Sequence, residues 1–214
     1  MIVIAIPLEK GWVREYRRKS KYGKEHRVSG YWRNEKKPIE RKSYQDYGLP
    51  RWEEVMKNKS PAITKRLHSA DEVEAYLKSL QHVFLVNKDG WTMVPTADKL
   101  YASIEPGLYQ HWVEKYGIQE ADRRLSYFPA VIDTLIKPWE IWRQPVGKAG
   151  DDGRLFLKVF SPEDDLSTTV MVLVAFRANK PIIWTVIPTT RFKEVDKRRW
   201  GELLFSEYGD EADD

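Results

Sequence analysis

The chain is 214 residues long and contains no cysteine, which excludes disulfides, thiolate zinc sites and cysteine nucleophiles. Lys and Arg number 36 against 32 Asp and Glu, a formal net charge of +4, so the clustering of charge is more informative than its total. No stretch is long and apolar enough to span a bilayer, and the length suits one domain, alone or with an appended arm.

Residues 1–7 are apolar, but no basic segment precedes them and Glu9 follows, so a first strand fits better than a signal peptide. From 10 to 42, Arg and Lys are interrupted by Trp12, Tyr16, Tyr22, Tyr31 and Trp32, a pattern that suits a hairpin turning at Tyr22-Gly23-Lys24. Cations offset phosphate charge and rings stack on bases, so Trp12, Arg14, Arg17, Arg18, Tyr31, Trp32 and Arg33 are candidate nucleic-acid contacts. A solvated basic arm is the alternative reading of the same composition.

Ser69-Ala70-Asp71-Glu72 is a capping box, and Val73, Tyr76, Leu77 and Leu80 fall on one face of the helix that follows. Residues 82–86 and 91–94 flank Asn87-Lys88-Asp89-Gly90, a hairpin signal. A helix is expected over 105–116, ended by Gly117 and carrying His111.

The organising stretch is 124–205. Phe128, Val131, Ile132 and Leu135 mark one helical face, and Pro138 forbids continuation because it lacks an N–H. Glu140-Ile141-Trp142 reads as a short strand, and Asp151-Asp152-Gly153 as part of the turn into the next. There Leu155, Leu157 and Val159 alternate with Arg154, Phe156, Lys158 and Phe160. Residues 168–176 are apolar on both faces, as in a central strand, and 182–187 form a further strand that puts Thr185 and Thr189 on one face. An amphipathic segment ending at Phe205 closes the unit, and Trp139, Trp142, Trp184 and Trp200 read as core. The fold class expected is α+β, a four-stranded antiparallel meander sheet packed on helices. A basic arm covers 1–60, a small α+β lead-in of helix, hairpin and helix 61–120, the core 121–208, and an acidic tail 209–214.

No phosphate-cradling Gly-rich loop with Lys-Ser/Thr and no Gly-x-Ser-x-Gly elbow is present. His26, His68, His82 and His111 are scattered without metal-ligand spacing, so no metal site and no cofactor is expected.

Taken in order, Tyr127-Phe128-Pro129, Asp133-Thr134-Leu135, Pro138, Glu140-Ile141-Trp142, the basic pair Arg154 and Lys158, and the closing Arg199-Trp200-Gly201-Glu202-Leu203-Leu204-Phe205 resemble the phage-associated nuclease-like families of the barnase–EndoU–colicin–RelE superfamily. The resemblance implies a compact sheet-and-helix fold and a metal-independent ribonuclease that cleaves RNA by transphosphorylation from the 2′-OH. No histidine follows the last strand; Thr189-Thr190-Arg191 occupies that neighbourhood.

Such cleavage asks for a proton acceptor at the 2′-OH, a donor at the leaving 5′-oxygen, and cations on the phosphorane. The candidates are Arg154, Lys158 and Arg191 for the phosphate, His111 for proton transfer because imidazole titrates near neutrality, and Thr185 or Thr189 for orientation. Arg154 and Lys158 also suit an exposed sheet face, and Arg123 and Arg124 a solvated helix. The rival reading is a non-catalytic nucleic-acid- or protein-binding module of a phage particle or packaging apparatus. Expected partners are RNA or other nucleic acid, a phage structural protein or an immunity protein, and no membrane, in the host cytoplasm or on a virion. A toxin acting by ADP-ribosylation has less support, since nothing marks a nicotinamide site.

Overall fold

In the computed structural model, the residues described are 10–13, 16–19, 25–28, 31–34, 39–59, 61–105, 108–147, 150–162, 167–177 and 180–208. The chain divides into two compact units, Met1–Pro38 and Ile39–Asp214.

The first unit contains β1 (Lys10–Val13), β2 (Tyr16–Lys19), β3 (Glu25–Val28) and β4 (Tyr31–Asn34). β1 pairs antiparallel with β4, and β2 with β3, in one continuous register that sets Trp12 opposite Trp32 and Arg17 opposite Arg27. The strands of the expected hairpin are therefore present. Its turn, Arg14, residues 1–7 and the acidic tail lie outside the described residues.

The second unit opens with a 3-10 helix (Tyr44–Tyr47), α1 (Trp52–Asn58) and β5 (Ala62–Thr64). Next come α2 (Ala70–Val83), β6 (Leu85–Val86), β7 (Thr92–Pro95) and β8 (Tyr101–Ile104). α2 starts where its cap predicts: the Ser69 hydroxyl accepts from the Glu72 amide, while Glu72 reaches back to the amide of His68 rather than of Ser69. Three helices follow, α3 (Leu108–Tyr116), α4 (Ile118–Ser126) and α5 (Phe128–Ile136). Then β9 (Glu140–Val146), β10 (Asp151–Pro162), β11 (Thr168–Arg177) and β12 (Lys180–Thr189) form the expected meander. α6 (Phe192–Asp196) and β13 (Glu202–Ser206) complete the unit.

The sheet is larger than the expected four strands. Among the described residues it has nine, in the order β13-β9-β10-β11-β12-β8-β7-β6, with β5 beside β10. It is mixed rather than antiparallel, because β5 runs parallel to β10 and β8 parallel to β12. The closing segment of the chain supplies an edge strand against β9. The sequence underestimates the sheet because it assigns the 82–94 hairpin to a separate lead-in, whereas β6 and β7 join the core sheet, and because β5 and β8 are three and four residues long, too short to show a period of two.

Both faces of the sheet are covered. Phe156, Phe160, Val170 and Val172 pack with Trp112, Phe128 and Leu135 from the helices between β8 and β9. Leu155, Leu157 and Val159 pack on the other side with Trp52 and Val55 of α1 and Val195 of α6. The alternation read in β10 is thus real, and β11 is apolar from Val170 to Phe176 because both of its faces are packed there.

Candidate active site

β12 is paired with β11 along its length, but on its other edge, among the described residues, the sheet ladder holds only at Ile182 and Ser103. α4 covers the rest. Arg124 Nη1 donates to the Val186 carbonyl (2.7 Å) and the Thr185 hydroxyl (2.6 Å), and Arg123 Nη1 donates to the Pro188 carbonyl (2.9 Å). Two consecutive arginines thereby replace missing strand partners, which protects an otherwise open edge. Glu120 holds both, accepting from Arg123 Nε and Arg124 Nε at 2.8 Å. The Arg123 hydrogen bonds in turn keep the Glu120 carboxyl below its ordinary range, against the effect of burial and with help from both cationic charges.

Where β12 leaves the sheet, a cleft of about 490 Å³ opens between its end, the start of β11, the α4–α5 junction and α6. Four arginines line it, Arg66, Arg123, Arg191 and Arg198, against a single lining carboxylate, Glu194. Hydroxyls come from Tyr127, Thr168, Thr189 and Thr190, and an apolar floor from Met171, Ile187 and Pro188. Arg66 lies 4.9 Å over the Tyr127 ring. The Arg191 amide donates to Thr189 Oγ1 at 3.1 Å, and among the described residues its guanidinium has no hydrogen-bond or ion-pair partner. Glu194 accepts from Lys197 Nζ (2.7 Å) and Arg198 Nη1 (3.1 Å), bonds that hold its carboxyl below the ordinary value. Such a site is built for an anion: a fixed group of cations and hydroxyls with one ionised base among them.

Of the residues singled out in the sequence, Arg191 and Thr189 meet in this cleft. Thr185 sits behind it, 8% exposed and occupied by Arg124. Arg154 and Lys158 do share a strand face, but it is the one under the helices, not an open one. Lys158 is 7% exposed with its Nζ 2.6 Å from Asp133 Oδ2. Arg154 is held by Asp152 (2.9 Å) and Asp98 (3.4 Å). His111 is exposed on α3 and does not line the cleft. Among the described residues, no cluster of three or more His, Asp or Glu side chains could hold a metal ion.

Arg66, Tyr127 and the Glu194–Arg198 pair come from three separate segments, so a reading of sequence does not bring them together, although Glu194 and Arg198 themselves stand four residues apart. Arg123 and Arg124 carried a visible signal, a doubled arginine three and four residues after Glu120. Neither is merely solvated: Arg124 is 8% exposed.

A second cluster lies further back along β12. The register between β11 and β12 slips at Leu173/Val174, leaving Trp184 without an opposite residue. At this bulge Lys115 of α3 lies 4.9 Å from the ring centres of both Trp184 and Tyr116, Arg177 lies 3.9 Å over Trp184, and Arg124 lies 4.0 Å over Tyr116. Burial alone would raise the Tyr116 hydroxyl's pKa, but hydrogen bonds with Lys115 and Thr185 and the charges of Lys115 and Arg124 bring it below the ordinary value.

A family model described as "phage-Barnase-EndoU-ColicinE5/D-RelE like nuclease2" matches residues 86–206, more than half of the chain. No curated protein and no solved structure matches. The matched segment contains β7 to β13, α3 to α6 and every cleft residue except Arg66. The chain belongs to this phage nuclease-like family.

Proposed function

We propose that the protein is a ribonuclease that binds the phosphodiester backbone in the arginine cleft and cleaves it by in-line attack of the ribose 2′-OH. The observation that carries the reading is the cleft itself, four arginines and four hydroxyls around one ionised carboxylate, inside a nuclease-like domain. Arg191, whose guanidinium has no partner among the described residues, holds the scissile phosphate with Thr189 and Thr190. Arg66 and Arg198 add positive potential where charge develops on the phosphorane. Arg123 is largely spent on Glu120 and Pro188 and acts by position.

Glu194 is the one carboxylate of the cleft and takes the 2′-OH proton. The 2′-oxygen then bonds to phosphorus, the bond from phosphorus to the 5′-oxygen breaks, and the departing oxygen takes a proton from the Tyr127 hydroxyl. The products are a 2′,3′-cyclic phosphate and a 5′-hydroxyl, with no oxidant and no metal required by the balance. Arg154 and Lys158, bound to acids inside the fold, support the sheet rather than the phosphate in this reading.

The test is incubation of the purified chain with RNA and DNA in excess EDTA, beside Arg191→Gln and Glu194→Gln. Cyclic-phosphate ends from RNA alone, with rates lowered about 100- to 10,000-fold in Glu194→Gln, are expected from loss of a general base. Cleavage unaffected by either substitution would sink the site; binding without any cleavage would leave a nucleic-acid-binding module.

A further inference from the structure

The cluster at the Trp184 bulge has a property that the ion pairs elsewhere in the fold lack. Lys115 is held in place by two aromatic rings, 4.9 Å from each centre, and makes no ion pair with a described carboxylate. A carboxylate would position the ammonium and cancel its charge; a ring positions it and leaves the charge available. Arg124 brings a second cation to the Tyr116 ring, and Thr185 lies under the same arginine. The depressed Tyr116 hydroxyl is consistent with positive potential at this spot.

The cluster is also connected to the cleft. Arg123 belongs to the cleft and Arg124 to the bulge, adjacent residues clamped by one Glu120. Along β12 the distance from Thr185 to Thr189 is four residues, on the order of 13 Å in an extended strand. That is the scale of a few nucleotides rather than of one group.

We propose that Lys115, Tyr116 and Trp184 form a second subsite, which binds the backbone phosphate of an RNA strand a few nucleotides away from the one in the cleft. The proposal rests on the ribonuclease reading of the cleft. Lys115 supplies the charge-assisted hydrogen bond, the Tyr116 hydroxyl a second donor, and Trp184 the support that fixes the lysine. The subsite lengthens the footprint on single-stranded RNA without taking part in bond cleavage.

The test uses 2′-O-methyl RNA, which lacks the attacking hydroxyl, in fluorescence anisotropy over a range of salt, with a trinucleotide and a dodecanucleotide as probes. Lys115→Met keeps a stem over the rings and removes the charge. It should weaken dodecanucleotide binding about tenfold, lower the salt slope by about 0.7, the value for one phosphate on a single strand, and leave the trinucleotide unchanged. Trp184→Leu, checked for folding by circular dichroism, should do the same through loss of positioning. Arg191→Gln should weaken both probes. If Arg191→Gln acts on both and Lys115→Met on neither, the subsite is overturned and the cleft stands. If Arg191→Gln also has no effect, or neither probe binds, the cleft reading falls and the subsite with it.

Discussion

Glu194 shows how a residue in a short helix becomes a candidate base. Its carboxyl is held below the ordinary value by hydrogen bonds from Lys197 and Arg198, so it is ionised across the range in which RNA is stable. A rate limited by this base should fall on the acid side only below about pH 4.5, its ordinary value, and not near pH 6.5, where a histidine base would place the limb. A pH–rate profile of kcat/KM distinguishes a carboxylate base from an imidazole base. Lys158 illustrates the opposite outcome. With its ammonium nearly buried and 2.6 Å from Asp133, Lys158→Ala leaves the carboxylate without its cation. Asp133 is partly exposed, so the cost is below that of a sealed pair, on the order of 1–3 kcal/mol. Urea unfolding should show it, and replacing Arg154 and Lys158 together should shift unfolding as well as any activity.

At the scale of elements, the informative piece is the edge of β12. α4 is fastened to it by arginine–carbonyl bonds, and Glu120 keeps those arginines in place. Because the folded carboxyl of Glu120 titrates below its unfolded value, it adds stability above about pH 4.5 and loses it as pH falls through the lower folded value. Glu120→Gln should therefore flatten the acid side of the stability curve below that pH, measurable by thermal unfolding at a series of pH values. Gly201 is a second local requirement. Its φ of 111° lies where side chains are strained, and a Cβ there would run into the Arg143 carbonyl oxygen. Without that glycine the turn into β13 could not bring this strand against β9.

The second unit is tied together by two residues that the resemblance placed in separate motifs. Glu140 and Arg199, 59 residues apart, form an ion pair with both side chains 0% exposed. The Trp142 indole and the Tyr208 hydroxyl also donate to Glu140, while Arg199 reaches Asp196 and the Pro50 carbonyl. Burial and the charge of Glu140 raise the Tyr208 hydroxyl far above its ordinary value, which keeps it a donor. Glu140→Ala removes one partner of a sealed pair and should cost about 3–5 kcal/mol, seen as a loss of denaturation midpoint without dependence on substrate. The first unit, Met1–Pro38, is best tested by removal at residue 38 rather than 42, since the Lys42 carbonyl accepts from the Gly201 amide and Ser43 bridges Trp200. Loss of residues 1–38 should weaken long-RNA binding in a salt-dependent way and leave turnover of short substrates.

By itself the sequence determined the meander, the alternation of β10, the two-faced β11, the α2 cap and the family, because each rests on local spacing, on capping chemistry or on an ordered set of motifs. It also pointed to Thr189 and Arg191 at a strand exit. Only the tertiary structure decided which face of β10 was open, and neither is: period-two alternation separates two faces but cannot say what covers each. Only the fold, likewise, could gather Arg66, Tyr127 and the Glu194–Arg198 pair around one cleft, since segments about 60 or more positions apart share no periodicity and meet only through the packing of helices and loops on the sheet.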